Sequence, residues 1–79
     1  MKQHVAVQDN EYIVEKLNDV RVNKETNIVE CQVKWAGFEA TEATWEPLQA
    51  MLEDVPKLVK SLERKLGKNT AKGRLLRSI

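Results

Sequence analysis

Four aromatic side chains occur in the 79 residues: Tyr12, Trp35, Phe38 and Trp45. Three of them crowd into the stretch VKWAGFEATEATWEP, residues 33–47. Tyr12 opens a first candidate strand, Trp35 closes a second, and Phe38 follows just past Gly37. In a curled three-stranded sheet these positions can converge at one end. Three ring faces, each carrying negative potential, would there suit a methylated ammonium. Methylation removes N–H donors and lowers the cost of leaving water while keeping the charge. Each cation–π contact is worth roughly 0.5–2 kcal/mol, depending on desolvation. Glu42, in the adjoining loop, would add an opposite charge. The plainer alternative is that the three rings only cap an open end of the sheet. Trp45 sits in a short strand ahead of an apolar helix stripe and is expected to be buried against that helix.

The elements that must position these rings follow from periodicity. EYIVEKLNDVRV (11–22) mixes alternation with β-branched residues and predicts a strand. NKETN (23–27) is a polar turn. IVECQVKW (28–35) alternates cleanly, with Val29, Cys31, Val33 and Trp35 on one face. The two strands should pair as an antiparallel hairpin. AGFEATEA (36–43) reads as a loop, TWE (44–46) as a third strand, and PLQAMLE as a crossing segment. A helix should start near Asp54 as N-cap, with Pro56 in its first turn, and stop at Gly67. Val55, Leu58, Val59, Leu62 and Leu66 form its apolar stripe. The expected fold is small α+β: a three-stranded curled antiparallel sheet closed by one C-terminal helix.

A chain of this length forms one domain at most and buries only about 60% of the surface that its unfolded form exposes. The expected organisation is a flexible segment over 1–9, an ordered domain over 10–66, and a basic, disordered tail over 67–79. No apolar run is long enough to span a membrane, and the N-terminal residues lack the apolar core of a secretory signal. The single Cys31 can form no internal disulfide, which fits a reducing compartment. The net charge of +1 conceals an asymmetry: residues 1–56 carry −6 and residues 57–79 carry +7. Lys65, Lys68, Lys72, Arg74 and Arg77 are the candidate nucleic-acid contacts, set against the plainer reading of a solvated tail. Enzyme chemistry finds no support. His4 lies in the loose N-terminus, Cys31 reads as a core filler, and no nucleophile–base pair, metal-ligand cluster or phosphate loop occurs. No cofactor or metal is expected.

EYIVEKLNDVRV, VKWAGF and ATWEP, followed by a C-terminal helix, resemble a chromodomain across roughly residues 10–66. The resemblance implies the same sheet-and-helix fold. It also implies a nuclear, chromatin-associated module that binds methylated lysine in a histone tail, most familiarly histone H3 at lysine 9 or 27. The family's cage aromatics fall on Tyr12, Trp35 and Phe38, and its acidic loop residue falls on Glu42. The tail would enter as an added strand between residues 8–14 and residues 46–52. Glu11, Val14, Thr44, Glu46, Ala50 and Leu52 would line the walls.

Ala50 and Leu52 stand where heterochromatin-type members carry Asn and Asp, so the implied clamp lacks its polar pair and its grip should weaken. ATWEPLQAMLEDVPKLVKSL (43–62) looks closer to chromodomains at the C-terminal end of retrotransposon integrases, which are thought to steer insertion toward marked chromatin. The related shadow domains dimerise through their helices, but Lys57, Lys60, Glu63 and Arg64 occupy the other helix faces here, which implies a monomer. A Trp35→Ala change is expected to abolish methyl-dependent binding and leave the fold largely intact.

Overall fold

A computed structural model describes residues 12–77. The expectation of a flexible segment over 1–9 falls outside those residues. The three strands are β1 (Val14–Asn23), β2 (Ile28–Trp35) and β3 (Thr44–Pro47), in the order β1-β2-β3 and antiparallel throughout. The expected hairpin joins β1 and β2. Asn23 Oδ1 accepts from the Glu25 amide at 2.9 Å, and Asn27 takes the left-handed conformation with φ 62°. An Asx-type bond and a tolerated positive φ are what Asn contributes to such a turn.

The alternation in β2 does what its period requires. Cys31, Val33 and Trp35 point inward and are buried with Leu17 and Val20 of β1. Glu30, Gln32 and Lys34 take the other face, where Arg21 pairs with Glu30 at 3.0 Å and Lys34 with Glu15 at 2.6 Å. Two irregularities in β1, between Val14 and Lys16 and between Leu17 and Asp19, bend the strand. Such bulges increase local twist, which is how so small a sheet curls round a core.

The helical part is richer than the sequence suggested. Residues after Pro47 form a helix, α1 (Leu48–Asp54), where a crossing segment was expected. Leu48 and Met51, one turn apart, are buried beneath it. Asp54 is therefore the last residue of α1 and does not cap the next helix. That helix, α2 (Pro56–Leu66), starts with Pro at its first position and is preceded by Val55, whose φ of −137° breaks the helical run. Its stripe buries Val59 and Leu62, with Val55, Leu58 and Leu66 partly covered. It stops at Gly67, which adopts φ 93°.

Residues beyond Gly67 overturn a second expectation. The tail read as disordered forms a further helix, α3 (Ala71–Leu76), packed against both β1 and α2. Thr70 caps it by accepting from the Gly73 amide at 3.0 Å. Leu76 is buried in the common core, and Lys72 bonds Asp19 of β1 at 2.8 Å. Three apolar residues looked too few to define a face, yet Leu76 in the core, Leu75 packed against it and two glycines suffice. Gly73 is buried where α3 approaches the end of α2, and a Cβ there would run into the carbonyl of Gly67.

Two outcomes are expected. Gly73→Ala should destabilise the domain by about 1–3 kcal/mol through overpacking against backbone, seen as a fall of several degrees in Tm by circular dichroism. The Asp19 carboxyl is raised by burial, but the Lys72 hydrogen bond, the Val20 amide and the charges of Lys72 and Lys65 outweigh this and leave it below its usual 3.8. A depressed carboxylate stabilises the fold above its unfolded value and stops doing so as pH falls through its lower folded value. The hold of α3 on β1 should thus weaken only below about pH 4. Amide exchange in residues 71–77 should rise there in the parent chain and show no such step in Asp19→Asn. Because both ends of the pair reach solvent, the effect is on the order of 0–1 kcal/mol.

Candidate functional site

The ring cluster is assembled by the end of the β1–β2 ladder and the turn beyond it. Val14 lies opposite Trp35, and the Ala36 amide donates to the Ile13 carbonyl at 2.8 Å, extending the pairing toward Tyr12. The chain then reverses through Trp35–Phe38, closed by the Phe38 amide on the Trp35 carbonyl at 3.1 Å. Gly37, third in this turn, has φ 85°. A positive φ at that position is the demand of a type II turn, and glycine meets it without strain. Phe38 is thereby brought back over Tyr12.

Three of the four predicted cage residues meet. Tyr12 stands edge-on to Trp35, with ring centroids 6.3 Å apart and planes at 82°. It stacks on Phe38 at 5.5 Å with planes at 22°. Both are direct aromatic contacts, so Tyr12 touches each of the other two rings. Trp35 is 5% exposed and belongs to the core, whereas Phe38 is 38% exposed at the rim. Glu42 lies in a 3₁₀ turn (Ala40–Glu42) that packs against β2, and its Oε1 accepts from the Glu39 amide at 3.3 Å. Its carboxylate is exposed to solvent beside the loop that carries Phe38.

The predicted walls divide. Glu11 lies outside the described residues. Val14 is half-buried at the start of β1, Ala50 is exposed on α1, and Leu52 is partly buried against the core. Thr44 and Glu46 turn inward. The β3 register sets Thr44 opposite Val33 and Glu46 opposite Cys31, both core positions. Glu46 is 2% exposed. The same alternation corrects the expectation for Trp45: it pairs with Gln32 on the outer face, half-buried, under the guanidinium of Arg21 at 4.1 Å from its ring centre. A buried carboxylate is costly unless hydrogen-bonded. Glu46 is in fact bonded: its Oε2 accepts from the Thr44 hydroxyl at 2.9 Å, and Thr44 Oγ1 accepts from the Trp35 indole N–H at 2.8 Å. Sequence reasoning missed this chain, although a Thr-x-Glu alternation beside a strand-ending Trp was its visible trace.

The basic residues are only partly free to meet a partner. Lys72 is paired with Asp19, and Arg77 lies 3.8 Å from Glu63. Lys65, Lys68 and Arg74 are exposed. Cys31 is fully buried and burial pushes its thiol up to about 11, so it is a core residue with no nucleophilic character at neutral pH. Among the described residues, no cluster of His, Cys, Asp or Glu is placed to hold a metal ion.

The model of the Chromo (chromatin organisation modifier) domain matches residues 12–65. The chain belongs to the chromodomain family. The matched span runs from the first cage aromatic to the last turn of α2, so α3 lies beyond it. Heterochromatin protein 1 of Drosophila melanogaster is 50% identical over 40 residues, which cover 51% of this chain and 18% of that protein. The matched segment is thus about a fifth of that relative's length. Chromodomains are chromatin-binding modules without catalytic function.

With Trp35 inside the core, the expected tolerance of Trp35→Ala is replaced by its opposite. Removing the indole should cost about 3–5 kcal/mol as a large-to-small core change, enough to lose the cooperative thermal transition of so small a domain. Phe38→Ala at the rim should leave that transition within a few degrees of the parent's.

Proposed function

We propose that this chromodomain reads a di- or trimethylated lysine in a histone tail, with histone H3 at lysine 9 as the ligand, through a cage of Tyr12, Trp35 and Phe38 assisted by Glu42. The convergence of those three rings on one end of the sheet supports the reading most. The matched family and the similarity to a heterochromatin protein support it further. A nuclear, chromatin-associated setting follows from the same reading. The wider proposal, that the module directs a larger protein such as an integrase to marked chromatin, rests on the resemblance of residues 43–62.

Magnitudes indicate how such a site would behave. Parting Tyr12 from Phe38 and Trp35 gives up two aromatic contacts worth about 0.5–1.5 kcal/mol each. Three cation–π contacts return roughly 0.5–2 kcal/mol each. The methylammonium therefore gains only a modest net advantage from the rings. The remainder must come from main-chain pairing of an added strand. Ala50 and Leu52 offer no side-chain hydrogen bond to close over it, so the complex should be weak.

Fluorescence anisotropy with histone H3 peptides, unmethylated and trimethylated at lysine 9, tests this. The trimethylated peptide should bind at least tenfold more tightly, and Phe38→Ala should reduce that preference to about twofold or less, a loss of roughly 1 kcal/mol. Equal affinity for both peptides in the parent chain would refute the reader assignment. Salt-sensitive DNA binding, lost on neutralising Lys65, Lys68 and Arg74, would instead favour the nucleic-acid alternative.

A further inference from the structure

Trp35 is the one cage residue buried in the core, and its indole N–H cannot be left unpaired there. Indole nitrogen only donates, and a carboxylate only accepts. Between the Trp35 N–H and the Glu46 carboxylate stands Thr44, whose hydroxyl accepts from the first at 2.8 Å and donates to the second at 2.9 Å. The direction of both bonds is thereby set. Among the described residues, every buried side-chain nitrogen and oxygen has a partner. The register on β2 puts Thr44 beside Val33 and Glu46 beside Cys31, so the hydroxyl and the carboxylate approach the indole from within the domain.

We propose that Thr44 and Glu46 are positioning residues for the methyl-lysine site: they hold the Trp35 indole at a fixed rotation, making it the rigid wall against which Tyr12 and Phe38 open and close. This rests on the reader assignment and gives these two side chains a role other than lining the peptide. Tyr12 and Phe38 touch the cluster from a strand end and an exposed turn, through ring contacts. Trp35 is tied through its edge to a neighbouring strand. A charged acceptor at the end of the chain strengthens both bonds, since hydrogen bonds to ionised groups are about twice as strong as neutral ones. Threonine or serine is the only side chain of this size able to accept and donate together. Valine, equal in shape, takes this partner away from both the indole N–H and Glu46 Oε2.

The test compares the parent chain with Thr44→Val and Thr44→Ser. Three readouts are taken: the Trp35 indole N–H cross-peak, with that of Trp45 as internal control; the amide spectrum; and affinity for the trimethylated peptide. In Thr44→Val the Trp35 indole proton should move upfield and exchange faster with water, while that of Trp45 stays in place. Affinity should fall roughly tenfold, equivalent to about 1.4 kcal/mol. Thr44→Ser should restore both the indole position and the affinity, which a general loss of stability would not explain. An unmoved Trp35 indole proton, or affinity within twofold of the parent's, overturns the proposal. If Thr44→Val loses the native amide spectrum, Glu46→Gln replaces it. Gln keeps the shape and an acceptor oxygen but removes the charge, so the indole proton should move the same way by less, and no movement overturns the proposal. Absence of methyl-dependent binding in the parent chain would instead defeat the reader assignment and the functional half of this proposal, while the indole cross-peak still decides whether Thr44 holds the ring.

Discussion

A buried indole N–H must have an acceptor, and most of this domain can be understood from how Trp35 meets that requirement. Its ring closes the inner face of the sheet with Cys31 and Val33. Its N–H obliges β3 to present an oxygen at Thr44, which in turn needs Glu46 as acceptor. Because Thr44 and Glu46 occupy the inner face, Trp45 between them is sent outward to Arg21. The pairing of β2 with β3 is thus specified by polarity as well as by hydrophobic pattern. Trp35 also meets Tyr12 in a T-shaped contact, and Tyr12 in turn stacks on Phe38. One side chain belongs both to the core and to the candidate site, so stability and recognition cannot be altered independently there.

Much of the sheet was legible because its signals are local. The period-two run of Val29 to Trp35 and the polar turn before it specify the hairpin, and both appear where expected. The stripe from Val55 to Leu66 likewise specifies α2. What escaped depended on partners distant in sequence. The apolar positions of α1 are few, and the β2–β3 surface and α2, against which Leu48 and Met51 are buried, give them a use. The segment after Gly67 lacks a helical face of its own. It is held by Leu76 in a core formed elsewhere and by Lys72 on a strand more than fifty residues away. Trp45 was expected to lie against the helix stripe, but the β3 register puts its neighbours Thr44 and Glu46 on the inner face and sends it outward.

The candidate site was legible at the level of which residues meet, since the strand end and the Gly37 turn nearly dictate it. Its state was not. Whether three rings surround a hollow or close on one another depends on contacts worth about 1 kcal/mol each, below what spacing can resolve. Here Tyr12 is in contact with both of the other rings. Under the proposed reading, two rings would rearrange against a third that stays fixed, an order consistent with their burial: Trp35 inside, Phe38 at the rim.

The most direct measurement is the nuclear Overhauser contact between the Tyr12 and Phe38 rings, followed while a histone H3 peptide trimethylated at lysine 9 is added to saturation. This contact should fade, and contacts from the N-methyl protons to Tyr12, Trp35 and Phe38 should replace it. A Tyr12–Phe38 contact that persists undiminished with peptide fully bound would contradict the proposed reading, because the methylammonium would then be seated somewhere other than among these three rings.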